Sequence, residues 1–278
     1  MSAFGQTRFA KSDDLSIAYT DVGEGPVVVF LHGIGSTRSV WDEQLKGLSD
    51  RFRCIALEYR GYGESQVPPA ESLADGAADA RAITRNAYAR DTVAVLDAAG
   101  VGRAHLCGVS LGGIVALETY RHRRYRVASL LLCDTFAYYP GGAARMDDRL
   151  RMLEEEGMER FAQSASPGIL KPSAELAHLE RASRQMSSIP LEVYKASTRA
   201  TWTGDYRSLL SDIEVPVLVV WGERDESIAP RALSQEIADL TLGCSGVTVI
   251  PEAGHVPNVD NPAAFNAAVT SFIEKNAK

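Results

Sequence analysis

Residues 106–120 read LCGVSLGGIVALETY, and Ser110 stands between Gly108 and Gly112 where an apolar strand pattern gives way to a helical one. A serine at such a junction can attack a carbonyl carbon, because a sharp strand-to-helix turn lifts its hydroxyl clear of the sheet. Glycine weakens both a strand and a helix, so stability does not account for two of them here. Their expected part is to leave room around the strained turn. The bare pattern G-x-S-x-G is weak, since a chain of this length has about a one-in-ten chance of containing it by composition alone. Its position, closing a strand and opening a helix, carries the weight.

A serine hydroxyl needs an adjacent base. The chain has five histidines: His32, His105, His122, His178 and His255. His105 precedes a strand core and reads as structural, while His122 and His178 lie among polar helical residues and read as surface groups. His255, in PEAGHVPNVDNP after the last strand pattern, is the expected base. The base in turn needs a carboxylate to fix its tautomer and to stabilise the imidazolium. The stretch WGERDESIAP offers Glu223, Asp225 and Glu226, of which Asp225 is chosen; Asp134, after an earlier strand, competes for the role. The loop His32-Gly33-Ile34-Gly35 follows the run VVVFL, and its glycines allow a backbone N–H to approach an oxyanion. Ile34 and Leu111 are the expected pair of amide donors, with His32 orienting the loop.

These residues require elements to position them. Weak strand signals at 8–10 and 16–20 precede the continuous apolar runs at 27–31 and 53–58. The segment 66–80 reads as a polar loop. Helix 81–99, the strand ending at Ser110, helix 111–123 and strand 127–134 follow in alternation, which predicts a parallel sheet covered on both faces. The alternation stops from 136 to 205, where two amphipathic helical patterns and no strand are found, and resumes with strand 215–222, a helix, a strand near 246–251 and a final helix near 262–275. The expected division is therefore a sheet core from 1–135 and 206–278, with 136–205 inserted as a helical cap after the sixth strand.

Composition narrows the partners. The formal net charge is −7, which argues against a phosphate-backbone ligand, and the basic group at residues 121–126 complements a helix C-terminus. No apolar run is long enough to span a bilayer, and the start MSAFGQTRFAKSDD lacks the apolar core of a secretory signal. The four cysteines are scattered without metal-ligand spacing, as reduced core thiols in a cytoplasmic protein would be.

LHGIGS, YRGYGES, GVSLGG, WGERDESIAP and GHVPNVDNP, in this order, resemble the α/β-hydrolase family over nearly the whole chain. The order Ser110, Asp225, His255 is that family's nucleophile, acid and base. Serine at the elbow sets the chain apart from the family's epoxide hydrolases and haloalkane dehalogenases, which use aspartate there. The single-cap layout resembles 3-oxoadipate enol-lactonases and their esterase relatives, with two departures: Glu58 where aspartate is usual, and a longer loop at 66–80. The resemblance implies a hydrolase of an ester or lactone that needs neither cofactor nor metal. Its expected partner is a small molecule rather than nucleic acid or membrane, and a homodimer is one allowed assembly. Gly33, Trp41, Phe136, Tyr138, Trp202 and Val256, with His32, are the expected pocket residues. A carboxylate-bearing lactone would call for one of Arg38, Arg145, Arg149 or Arg199. The competing readings are a C–C hydrolase of meta-cleavage products and, from another class, a ligand receptor on this fold.

Overall fold

A computed structural model describes residues 5–276. Residues 1–4, which open the stretch MSAFGQTRFAKSDD, and residues 277–278, the end of the expected core, lie outside the described residues. Strands β1 (Thr7–Ser12) and β2 (Leu15–Val22) form a hairpin closed by Asp13 and Asp14, both at positive φ (47° and 66°), the twist a two-residue hairpin favours. Then come β3 (Val27–Leu31), α1 (Asp42–Leu48) and β4 (Arg53–Leu57). After these lie α2 (Ala70–Leu73), α3 (Arg85–Ala98), β5 (Ala104–Val109), α4 (Leu111–Arg123) and β6 (Val127–Cys133).

The eight strands form one sheet in the order β1-β2-β4-β3-β5-β6-β7-β8, where β7 is Val217–Gly222 and β8 is Cys244–Ile250. The β1–β2 and β2–β4 pairs are antiparallel and all others parallel. Alternate side chains of β3 serve opposite faces: Val29 and Leu31 join a core with α3 and α4, whereas Val28 and Phe30 join one with α1 and the C-terminal helix. Burial on both faces is why these strands read as unbroken apolar runs.

Between β6 and β7 run α5 (Gly142–Ala165), α6 (Leu176–Ser187), α7 (Leu191–Trp202) and α8 (Arg207–Leu210). Gly157, at φ 71° and ψ 171°, breaks α5 into two segments. After β7 and β8 come α9 (Arg231–Leu240), α10 (Pro257–Asp260) and α11 (Pro262–Asn276). No helix among the described residues is long and apolar enough to cross a membrane.

Two expectations need correction, and one departure from the family's pattern is accounted for. Trp41 is not a pocket residue: its ring is fully buried against Phe30 and Phe265, at 5.0 and 6.0 Å between centroids, on the α1/α11 face of the sheet. The short 3₁₀ turn that carries it points the indole inward, which an isolated helical pattern cannot show. The 66–80 segment is not wholly loop, since α2 forms where Leu73 is buried, and Ser72 donates to Asp79. Glu58, where aspartate is usual, is accommodated by the turn that follows it. It curls beneath the turn at Gly63, where any Cβ would collide with its carboxylate, and pairs with the buried Arg38, which also pairs with Glu64.

Candidate active site

Ser110 ends β5 and caps α4 with φ 56° and ψ −121°, a conformation a non-glycine residue adopts only when its surroundings enforce it. Its N–H donates to the Cys133 carbonyl (2.9 Å), and its own carbonyl accepts from Thr135 Oγ1 (2.7 Å) and Gly113 N–H (2.9 Å). A Cβ on Gly112 would run into the Leu31 carbonyl, and one on Gly108 into the Gly112 carbonyl. The two glycines let the elbow close against β3.

The loop after β3 lies beside this serine. A Cβ built on Gly33 would sit 3.4 Å from Ser110 Cβ. Leu111 is the first residue of α4, whose leading N–H groups have no intrahelical acceptor. His32 is fully buried behind the loop and outside the cavity. Its Nδ1–H donates to the Gly33 carbonyl (2.8 Å), its Nε2 accepts the Tyr59 N–H (3.4 Å), and its ring lies against Tyr59 and Tyr62. Burial, aided by the Arg38 charge and opposed by the Gly33 bond, pushes His32 down to about 4. His105, buried beside Ser129, is likewise pushed down to about 4 by burial and then by the Arg103 charge.

These two histidines give a pH prediction. Each binds a proton more readily in the unfolded chain, whose ordinary value is near 6.5, so the stability they contribute is complete above about 6.5 and lost as pH falls towards 4. His105→Asn retains a polar partner for Ser129 and removes one titration. The denaturant midpoint of this variant is expected to fall less steeply between pH 6.5 and 4 than that of the parent; equal slopes would refute it.

His255 follows β8 and Asp225 follows β7. Nδ1–H of His255 donates to Asp225 Oδ2 at 2.6 Å, and both side chains are buried. The other Asp225 oxygen accepts the Ile228 and Ala229 N–H groups, both at 3.3 Å. Burial works against the Asp225 charge, but the His255 charge and hydrogen bond, the Ala229 N–H and Asp134 outweigh it, so the carboxyl lies below its ordinary value. The His255 loop is fastened by Asp260, whose Oδ2 accepts from Gly254 and Lys171 N–H, each at 2.8 Å. Glu223 and Glu226 are exposed. Asp134 is buried beside Asp225, but its Oδ1 accepts the Gly222 N–H (2.9 Å), and Asp225 is the carboxylate hydrogen-bonded to His255.

Asp134, Asp225 and His255 are also the group among the described residues with ligand atoms close enough, within 4.8 Å, to hold a metal ion. A cation there would compete with His255 for the Asp225 oxygen and leave the imidazole unoriented.

Ser110 and His255 open into one narrow cavity of about 70 Å³, walled by Gly33, Ile34, Val256 and Trp202. Phe136 stacks behind Trp202, 5.5 Å between centroids. Tyr138 does not line this cavity; it lies towards α8, with the Arg207 guanidinium 4.0 Å from its ring centre. Of the four arginines, Arg149 alone is on the cavity wall. Arg38 is tied to Glu58 and Glu64, Arg199 pairs with Asp75, and Arg145 bonds the Ser227 carbonyl. Met186, Tyr194, Ile169 and Ile228 also wall the cavity and were not foreseen. The amphipathic pattern of α6 and α7 announces a buried face, but not which cavity that face closes.

A model of the alpha/beta hydrolase family matches residues 28–268. The chain belongs to that family. The hydrolase is 27% identical over 274 residues to "3-oxoadipate enol-lactonase 2" of Acinetobacter baylyi, covering 95% of each chain. It is 32% identical over 262 residues to "Putative carbamate hydrolase RutD" of Variovorax paradoxus, covering 91% of this chain and 93% of that one. Among solved structures, a thermophilic esterase from Thermogutta terrifontis superposes with a TM-score of 0.87 at 28% identity, over 99% of this hydrolase and all of the esterase.

Proposed function

We propose that this hydrolase cleaves a small carboxylate-bearing ester or lactone by acyl transfer through Ser110. Its broad activity is hydrolysis of ester bonds, in keeping with the enol-lactonase and esterase it is similar to. The observation that carries the narrower reading is Arg149, half-buried on the wall of the cavity that holds Ser110 and His255. Its guanidinium lies 5.5 and 5.4 Å from the Phe161 and Trp202 ring centres and donates to Tyr194 Oη (3.1 Å). Among the described residues it has no carboxylate partner. A cation held in place and left unpaired suits an anionic substrate group.

In the mechanism, His255 Nε2 takes the Ser110 proton as Oγ attacks the carbonyl carbon. Asp225 holds Nδ1–H and balances the imidazolium. The Ile34 and Leu111 amides face the developing oxyanion. Collapse expels the alkoxide, which takes the proton from His255, and in a lactone it remains attached as the far end of the acyl chain. Water, deprotonated by His255, then releases the acid. The small cavity suits a compact acyl group.

The deciding experiment compares kcat/KM for 3-oxoadipate enol-lactone and for p-nitrophenyl acetate in the parent and in Arg149→Leu. The lactone value is expected to fall about 100-fold, the scale of a lost charge-assisted bond, while the neutral ester changes by less than about threefold. Equal losses on both would remove the carboxylate reading, and no activity on either in the parent would remove the substrate class.

A further inference from the structure

Asp134 is buried and unused by the mechanism above. It ends β6 in a left-handed conformation, φ 42°, with its N–H on the Val220 carbonyl and Oδ1 on the Gly222 N–H. Its second oxygen, Oδ2, is buried without a donor to accept from. Yet a carboxylate oxygen of Asp134, a carboxylate oxygen of Asp225 and a ring nitrogen of His255 all lie within 4.8 Å of one another. Two ionised carboxylates have no proton to share and would repel, whereas one acid and one carboxylate make a charge-assisted bond. We infer that Asp134 is a positioning residue: it keeps its proton and donates it from Oδ2 to Asp225, so that the pair carries one negative charge and Asp225 is aimed at His255. The inference rests on the acyl-transfer reading for its importance to turnover, but not for the protonation itself.

Burial first, then the Asp225 charge, push the Asp134 carboxyl well above its ordinary value; the Gly222 N–H opposes, and the buried Cys133 thiol on the same strand adds to the rise. His255, whose ligand atom is within 4.8 Å of both carboxylates, gives its Nδ1–H to Asp225. With Nδ1–H on one oxygen and the Ile228 and Ala229 N–H groups on the other, the Asp134 proton is a further donor that keeps the carboxylate from rotating. The strained turn at Asp134 is then the means of bringing a second acid under the first.

The test pairs a conservative and a disruptive variant. Asp134→Asn keeps an acceptor for Gly222 and a donor for Asp225 but cannot ionise; Asp134→Ala removes the donor. The acid limb of kcat/KM against pH for p-nitrophenyl acetate, and the pH at which the low-field Nδ1 proton of His255 titrates by NMR, are read in both. If Asp134 is neutral, the Asn variant leaves both within about 0.3 unit of the parent, because no charge was removed beside the imidazolium. The Ala variant lowers kcat roughly tenfold with little change in KM, as lost orienting bonds do elsewhere. A fall of about one unit or more in the Asn variant would show that Asp134 is ionised and overturn the inference. An Ala variant with parental kcat and pH profile would overturn its positioning role. If Ala fails to fold, the Asn titration still decides. Ser110→Ala as a control separates the two readings: full activity there would sink the acyl-transfer mechanism, while the NMR titration would still report on Asp134.

Discussion

Replacing Ser110 with alanine is expected to lower kcat on p-nitrophenyl acetate by roughly 10⁵–10⁶-fold, the scale seen when the nucleophile of a serine triad is removed. The loss follows from the site's layout. Among the other hydroxyl-bearing residues on the cavity wall, Ser36 donates to the Thr37 carbonyl and Tyr194 receives Arg149, so neither has an imidazole beside it to take its proton. What would remain is the cavity with the proposed Ile34 and Leu111 donors and His255, which can still assist water by a small factor. Folding is expected to survive. Alanine keeps the backbone bonds to Cys133 and Thr135, and it bears the same left-handed strain that serine bears at φ 56°. Tm is therefore expected within about 3 °C of the parent, and the initial burst of p-nitrophenolate is expected to vanish. A variant that folds and still turns over at a tenth of the parental rate would mean that the acyl group is never carried by Ser110.

The elbow was legible because its constraint is local. Gly108 and Gly112 are required by contacts with Leu31 and with each other, all within a strand-turn-helix unit that the sequence displays. His255 and Asp225 were legible for a related reason: each follows an apolar strand, and parallel strands deliver such residues to one edge of the sheet. Trp41 shows where that logic ends. A 3₁₀ turn of Arg38–Trp41 precedes α1, so the indole faces Phe265, a residue more than two hundred positions away. Arg149 could be named only as one of four, because its direction depends on how α5 docks against α7 and on where Gly157 breaks the helix. Asp134 and Asp225 were rivals for one position in the sequence. In the fold they are adjacent, and the question becomes which holds the charge.

Asp225→Asn is expected to cost about 10⁴ in kcat, as the loss of a triad acid does when the geometry is otherwise kept. An asparagine carbonyl could still accept from His255 Nδ1–H, but its amide can equally present N–H, and the neutral imidazole then carries its proton on Nε2, facing Ser110. A base with its proton on the wrong nitrogen cannot accept another from the nucleophile. Asp134 is not placed to rescue it. The Gly222 N–H holds its Oδ1, and the His255 Nδ1–H is given to Asp225 and not to Asp134. Removing the Asp225 charge takes away only the second cause of the raised Asp134 carboxyl; burial, the first, remains, so Asp134 supplies no replacement charge. Adding Asp134→Asn to Asp225→Asn is therefore expected to change kcat little further, because the triad is already broken. If Asp225→Asn instead keeps a tenth of parental kcat, and the double variant loses it, Asp134 is the group that orients His255 and the two acids exchange roles.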